Sequence, residues 1–73
     1  MDELLGLYRH FKGNLYRVVS MATHSESGEL YVVYVALNDK KTYVRPAEMF
    51  FSDVDRSKYP NCAQTKRFER IGD

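Results

Sequence analysis

The sequence predicts an all-β domain with a minor α contribution, in the form of a small, five-stranded, partly open SH3-like β-barrel with one short helical turn. Three observations lead to this prediction. The chain has only 73 residues, of which 44% are apolar, so it can form one small domain with a thin core. Segments rich in Val, Tyr and Thr alternate with polar turns, a pattern typical of antiparallel strands. A proline follows the fourth such segment, where it can end a strand and begin a helical turn.

The first half of the chain is predicted to contain an opening strand and a β-hairpin. The opening strand runs from Tyr8 to Phe11 and is ended by Gly13-Asn14. The hairpin pairs Leu15 to Thr23 with Leu30 to Leu37, because the polar turn between them has Gly28 near its end, where a left-handed backbone costs least. Apolar residues lie on both faces of the first hairpin strand, which predicts a strongly bent strand covered on both sides.

The second half is predicted to contain a short strand, a helical turn, a long loop and a closing strand. The strand covers Thr42 to Arg45, and the helical turn covers Pro46 to Phe50. The side chains of Met49, Phe50 and Phe51 are expected to fill the barrel. A polar loop from Ser52 to Thr65 precedes a closing strand from Lys66 to Ile71. We therefore expect a single domain over residues 1–73, with a flexible N-terminus at residues 1–6 and a long loop at residues 52–65.

Composition argues against several classes of protein. Lys and Arg total 11 and Asp and Glu total 10, a net charge of +1, so bulk electrostatic binding to nucleic acid is not expected. The single Cys62 rules out a disulfide within the chain and a Cys-based zinc site. The N-terminus is acidic, unlike a secretory signal, and no apolar run approaches the ~18 residues of a membrane span. We expect a cytoplasmic protein with no cofactor and no membrane association.

Three segments together resemble a known family. They are YRHFKG at residues 8–13, HSESGE at residues 24–29 and VRPAEMF at residues 44–50. In this order and spacing they resemble the signature YRHFKG, HSE(T/S)GE and VRPxxMF of a family of small bacterial domains of unknown function. The resemblance covers most of the chain, from about Gly6 to Ile71. It implies a compact β-barrel-like domain and brings no established activity.

The polar residues of these motifs are the candidates for chemistry. In the predicted barrel they lie on the first strand, at the end of the second strand, and at the end of the short strand before the helical turn. We hypothesise that they converge on one rim of the barrel as a ligand-binding site formed by Arg9, His10, His24, Glu26, Arg45 and Glu48.

Two readings are open for His24 and Glu26. In the first, their segment is a turn whose side chains cap exposed backbone groups. In the second, the Glu26 carboxylate fixes the His24 imidazole for ligand recognition or proton transfer.

Arg45 also has two readings. It can form a local salt bridge with Glu48, which would be individually weak. Alternatively, its guanidinium can capture an anion beside the N-terminus of the helical turn.

Other chemistries find less support in the sequence. General acid-base catalysis would depend on His10, His24 and Glu26. No short-range pair of His or Cys residues points to a metal site. A single-stranded nucleic acid could stack on a surface of tyrosines with interleaved Arg and Lys, although tyrosine is also common in half-buried strands. The residues that could form that surface are Tyr8, Arg9, Lys12, Tyr16, Arg17, Tyr31, Tyr34 and Tyr43.

The sequence therefore favours a small binding module over an enzyme. Its expected partner is an anionic small ligand, a nucleotide or a protein segment, with nucleic acid as a weaker alternative. Catalysis by the two histidines and Glu26 is the alternative function.

Overall fold

The fold is a five-stranded antiparallel sheet with one short helix, seen in a computed structural model that describes residues 4–73. The strands occur in the spatial order β4-β3-β2-β1-β5. In chain order the elements are β1 (Gly6–His10), β2 (Leu15–Thr23), β3 (Leu30–Ala36), β4 (Thr42–Pro46), α1 (Ala47–Phe50) and β5 (Phe68–Gly72). The predicted class, mostly β with one helical turn, is confirmed.

The sheet curves but is not closed into a barrel. Its edge strands, β4 and β5, are not paired with each other in the part of the chain described. In a flat sheet these edges would be about 19 Å apart, four strand spacings, yet the Arg45 guanidinium carbon of β4 lies 5.6 Å from the ring centre of Phe68 in β5. Curvature therefore brings the edges together on the core side. The SH3-like arrangement stays a prediction.

The β1 strand begins inside the segment that the sequence predicts to be flexible. Gly6 is buried with φ +133°, and a Cβ at this position would lie 2.5 Å from the Gly72 carbonyl oxygen. Only glycine accepts both this backbone angle and this close approach. The Tyr8 hydroxyl donates a hydrogen bond to the Leu4 carbonyl oxygen at 2.9 Å. Met1 to Glu3, the rest of the predicted flexible segment, lie outside the described residues.

The β2–β3 hairpin has the predicted bounds, apart from Leu37, and the predicted turn. Gly28 has φ +76°, the left-handed conformation expected at the end of that turn. The pairing of β2 with β3 shifts register between Val18 and Ser20, and such a bulge bends a strand. The expectation that both faces of β2 are covered is wrong, because Val19 is 45% exposed. Only the face that carries Val18 meets the core.

Aromatic side chains from the sheet and from α1 form the core. Pro46 has φ −53°, an angle suited to the start of a helix, and the single turn that follows buries Phe50 completely. Phe51 packs partly against the core, whereas Met49 is 48% exposed, so the predicted filling of the interior is confirmed for the phenylalanines only. The core cluster consists of Tyr8, Val18, Val32, Tyr34, Phe50 and Phe68.

The long segment between α1 and β5 is tied back on itself. The Val54 N–H donates to the Thr65 carbonyl oxygen and the Arg67 N–H to that of Ser52, while Val54 is buried. The Phe11 N–H in turn donates to the Arg67 carbonyl oxygen. These bonds hold the segment beside the end of β1. Within residues 4–73, no helix is long and apolar enough to cross a membrane.

Candidate anion-binding site

His10 and Arg45 are the two predicted site residues that the structure brings together. The His10 ring packs edge-on against Phe68, with ring centres 4.8 Å apart, and the Arg45 guanidinium lies over the same Phe68 ring. Arg45 Nε also donates a hydrogen bond to the Tyr34 hydroxyl at 3.3 Å. Their convergence depends on the curvature of the sheet, since they come from strands that are not neighbours.

His24 and Glu26 lie at the opposite end of the sheet, so the single rim expected from the sequence is not formed. The pairing of Arg9 with Leu15 places His10 beside the start of β2, whereas His24 follows its last residue. Nine residues of strand separate these ends, which is roughly 30 Å at about 3.3 Å per residue. The two histidines and Glu26 therefore do not meet as an acid-base group.

The His24 side chain acts on its own turn. Its Nδ1 accepts hydrogen bonds from the backbone N–H groups of Glu26 at 3.3 Å and Ser27 at 3.2 Å. Its ring lies against Tyr31, with ring centres 5.7 Å apart. This is the turn-capping arrangement, in which a side chain satisfies backbone donors that the turn leaves without partners.

Arg9 and Glu48 are also separate from the His10–Arg45 pair. Arg9 forms an exposed cross-strand ion pair with Glu69 at 2.9 Å, and its position next to His10 in β1 points it to the other face of the sheet. Glu48 is exposed on α1. The predicted salt bridge between Arg45 and Glu48 does not occur among the ion pairs of residues 4–73, because Arg45 turns inward toward Tyr34 and Phe68.

A basic pocket of about 220 Å³ opens next to His10. The turn after β1 forms one side of it, and the long segment before β5 forms the other. Formally, three cations and one carboxylate give the pocket a charge of +2, against +1 for the whole chain. Its lining residues are His10, Phe11, Lys12, Asp55, Lys58, Tyr59 and Arg67.

Asp55 is the acid that lines this pocket, and its charge attracts Lys58 without a direct ion pair. Within residues 4–73, no carboxylate forms an ion pair with Lys12, Lys58 or Arg67. Lys12 Nζ instead lies 5.9 Å from the ring centre of Phe11 and 5.7 Å from that of Tyr59, within the range of cation–π attraction. The pocket thus presents positive charge against two aromatic walls.

Asp55, the carboxylate that lines the pocket, already accepts two hydrogen bonds. Asp55 Oδ1 accepts hydrogen bonds from the Ser57 hydroxyl at 2.6 Å and the Ser57 backbone N–H at 3.0 Å. These bonds, the hydroxyl first, lower the pKa of Asp55, and the positive charge of Lys58 adds to the effect, so the group is ionised at neutral pH. It shapes the local turn and reduces the positive charge of the pocket only in part.

His10 is neutral at pH 7 in this setting. Burial lowers its pKa below the ordinary value of about 6.5, and the positive charges of Arg45, Lys12 and Arg67 lower it further. Its Nδ1 accepts a hydrogen bond from the Lys12 backbone N–H at 3.2 Å, which in a neutral ring leaves the proton on Nε2. A negatively charged ligand would offset these positive charges and so raise the pKa of His10.

Of the five tyrosines predicted as a platform for a nucleic acid strand, Tyr43 alone is exposed, at 39%, and Tyr31 is half-buried. Tyr8 and Tyr34 are buried in the core and Tyr16 is half-buried. The Tyr43 hydroxyl donates to Asp39 at 2.8 Å, and its ring stacks on Tyr34. No group of three or more His, Cys, Asp or Glu side chains suited to a metal ion occurs in residues 4–73.

Lys58 and Arg67 are site residues that sequence reasoning missed. They lie in and just beyond the segment predicted as a loop, and only the backbone bonds between that segment and β1 bring them to His10. Lys12 lies in the first motif and belongs to the turn that the Gly13 N–H closes on the His10 carbonyl oxygen. The one available signal was that all three side chains are cationic.

The fold and this pocket together define a small, curved antiparallel sheet domain with a candidate anion site. The chain belongs to DUF1653, a family of proteins of unknown function, whose model matches residues 6–70. It is similar to the crystal structure of a protein of the same family from Bordetella bronchiseptica. The two are 29% identical with a TM-score of 0.77, over 93% of this chain and 86% of that one. No curated protein matches the sequence.

Proposed function

We propose that this domain is a binding module that holds an anionic small molecule in the basic pocket beside His10. The observation that carries the proposal is that Lys12, Lys58 and Arg67 line one small depression, form no ion pairs within residues 4–73, and have their charge offset only in part by Asp55. Cations held close together repel one another, and a bound anion would relieve that repulsion. Of the residues predicted to form the rim, His10 is retained in the proposed site, and Arg45 lies beside it.

The remaining residues of the predicted rim have other roles in this proposal. Arg9 pairs with Glu69 and His24 caps its own turn, so neither takes part in ligand binding. Glu26 and Glu48 are acidic and exposed, and they would repel an anion. We further propose that the domain works in the bacterial cytoplasm, which fits the bacterial source of the similar structure and the free Cys62.

Titration of the isotope-labelled domain with inorganic phosphate at pH 7.5 and low salt tests this proposal. We expect NMR chemical-shift changes centred on Lys12, Lys58 and Arg67, with the turn at residues 24–29 unaffected. The Lys58→Gln variant should bind phosphate roughly tenfold more weakly, the size expected for losing a hydrogen bond to a charged group.

Lys66→Gln is the matched control. It removes the same charge from the same segment, but Lys66 is already paired with Asp53 at 2.8 Å, so phosphate binding should be nearly unchanged. Equal weakening by both variants would show a general effect of charge and contradict the proposal. An absence of shifts at the pocket would do so as well.

A further inference from the structure

We propose that the group recognised by this pocket is a terminal phosphate, the dianionic phosphomonoester of a small organic molecule, rather than the phosphodiester backbone of a nucleic acid strand. This inference rests on the proposed function and specifies its ligand.

The charge of the pocket matches a dianion. Lys12, Lys58 and Arg67 with the ionised Asp55 leave a formal charge of +2. A phosphomonoester carries close to two negative charges above its second pKa of about 6, whereas each phosphodiester carries one. The second charge would add to the attraction between the ligand and the three cations that line the pocket.

Most of the cations outside the pocket in residues 4–73 are bonded to local partners, the exceptions being Lys40 and Lys41 between β3 and β4. Arg9 is paired with Glu69, Lys66 with Asp53 and Arg70 with Asp73. Arg56 donates to backbone carbonyl groups of its own segment, and Arg17 donates to the carbonyl oxygen of Asp73. Proteins that bind single strands need a positively charged groove along several nucleotides, and the three ion pairs cancel part of the positive charge that such a groove would need.

The aromatic walls suit a small organic group more than a run of bases. Phe11 and Tyr59 meet edge to face, with ring centres 4.9 Å apart, and Lys12 lies over both rings. Together with the His10 ring, which lies 4.5 Å from that of Phe11, they form the aromatic part of the lining of an open pocket of about 220 Å³. That space accommodates a phosphate and a few attached atoms.

A matched pair of probes tests the inference. Phenyl phosphate is a dianion at pH 7.5, and methyl phenyl phosphate has the same ring but a single charge. We expect the first to bind about tenfold more tightly, as for one added charge-assisted contact, with NMR shifts at Lys12, Lys58 and Arg67. Lys58→Gln should reduce this preference, and Lys66→Gln should preserve it.

A ten-nucleotide thymidine strand with or without a 5′-phosphate supplies the nucleic acid comparison. The inference predicts binding only of the phosphorylated strand. Binding of both strands with similar affinity would overturn it in favour of a nucleic acid ligand. Equal affinity for the two phenyl probes would overturn the choice of a monoester while leaving the anion-binding proposal intact. If neither these probes nor inorganic phosphate bind, both proposals fail.

Discussion

Phe50 and Phe68 stack face to face, with ring centres 4.1 Å apart and planes inclined by 9°. Phe50 belongs to α1, which directly follows edge strand β4, and Phe68 is the first residue of edge strand β5. Their contact therefore links the two edges of the sheet. It covers the open side of the curved sheet, where no backbone ladder connects β4 to β5 in the described part of the chain. Side-chain packing substitutes there for a fifth strand pairing, which would close the sheet.

Truncation of this stack should destabilise the domain strongly. Phe50→Ala removes a fully buried ring and should lower the free energy of unfolding by about 3–5 kcal/mol. Met49→Ala, on the exposed side of the same turn, should change it by less than about 1 kcal/mol. Urea unfolding followed by circular dichroism measures both. Similar losses for the two variants would contradict the central place of this stack in the core.

A substitution that adds a side chain should destabilise the domain more at Gly6 than at Gly13, which also has a positive φ. Gly6→Ala meets both the strained φ of +133° and the Gly72 carbonyl oxygen at 2.5 Å. Gly13→Ala meets a similar strain, φ +107°, but open space. We expect Gly6→Ala to be more destabilising by about 1–3 kcal/mol, the cost of overpacking. Equal urea midpoints for the two variants would show that the Gly72 carbonyl group of β5 moves away from the new side chain at little cost.

Removal of the His24 side chain should affect the hairpin turn and not ligand binding. His24→Ala leaves the backbone N–H groups of Glu26 and Ser27 without their acceptor, at a cost of about 1 kcal/mol. His24→Asn should recover part of this, since its amide oxygen can accept the same bonds. Phosphate affinity should stay unchanged in both variants. A loss of affinity without a loss of stability would restore the reading of His24 as a binding residue.

Stability should fall as the pH is lowered from 7 to 5, with His10 as one cause. Its pKa is lower in the folded protein, mainly through burial, so the unfolded chain binds the proton more readily. Folding stability is therefore greatest above the unfolded value of about 6.5 and decreases as the pH falls toward the folded value. Asp39 and Asp55 have lowered pKa values too, but their effect falls below about pH 4.

The test of this prediction is thermal unfolding between pH 7.5 and 5. The slope of the midpoint with pH should be smaller in His10→Gln than in the original chain. An unchanged slope would mean that His10 does not titrate as described.

Arg45 should influence the titration of His10 across the core side of the sheet. Burial is the larger cause of the lowered His10 pKa and the positive charge of Arg45 is the next, so Arg45→Met should raise that pKa toward, but not to, its ordinary value. The measurement is the pH dependence of the His10 ring resonances in NMR spectra. Arg9→Met is the control, because Arg9 is paired with Glu69 on the outer face. An equal shift in both variants would contradict the proximity of Arg45 to His10.

The order of elements and the character of the core followed from the sequence because they depend on local patterns. Gly28 marked a left-handed turn and Pro46 marked the start of a helix, and both are found. The limits of β2 and most of β3 could be read from the run of Val and Tyr residues. These features depend on the conformational preferences of neighbouring residues, which a linear sequence displays directly.

The candidate site depended on tertiary structure. His24 and His10 look equivalent as polar residues of similar motifs, but strand length places them at opposite ends of the sheet. Lys58 and Arg67 reach His10 only because long-range backbone bonds hold residues 52–67 against the end of β1. Sequence patterning determines which face of a strand a side chain occupies, and it does not determine the curvature or the path of a long connection. Those are decided by packing among residues far apart in the chain, and that packing creates the basic pocket.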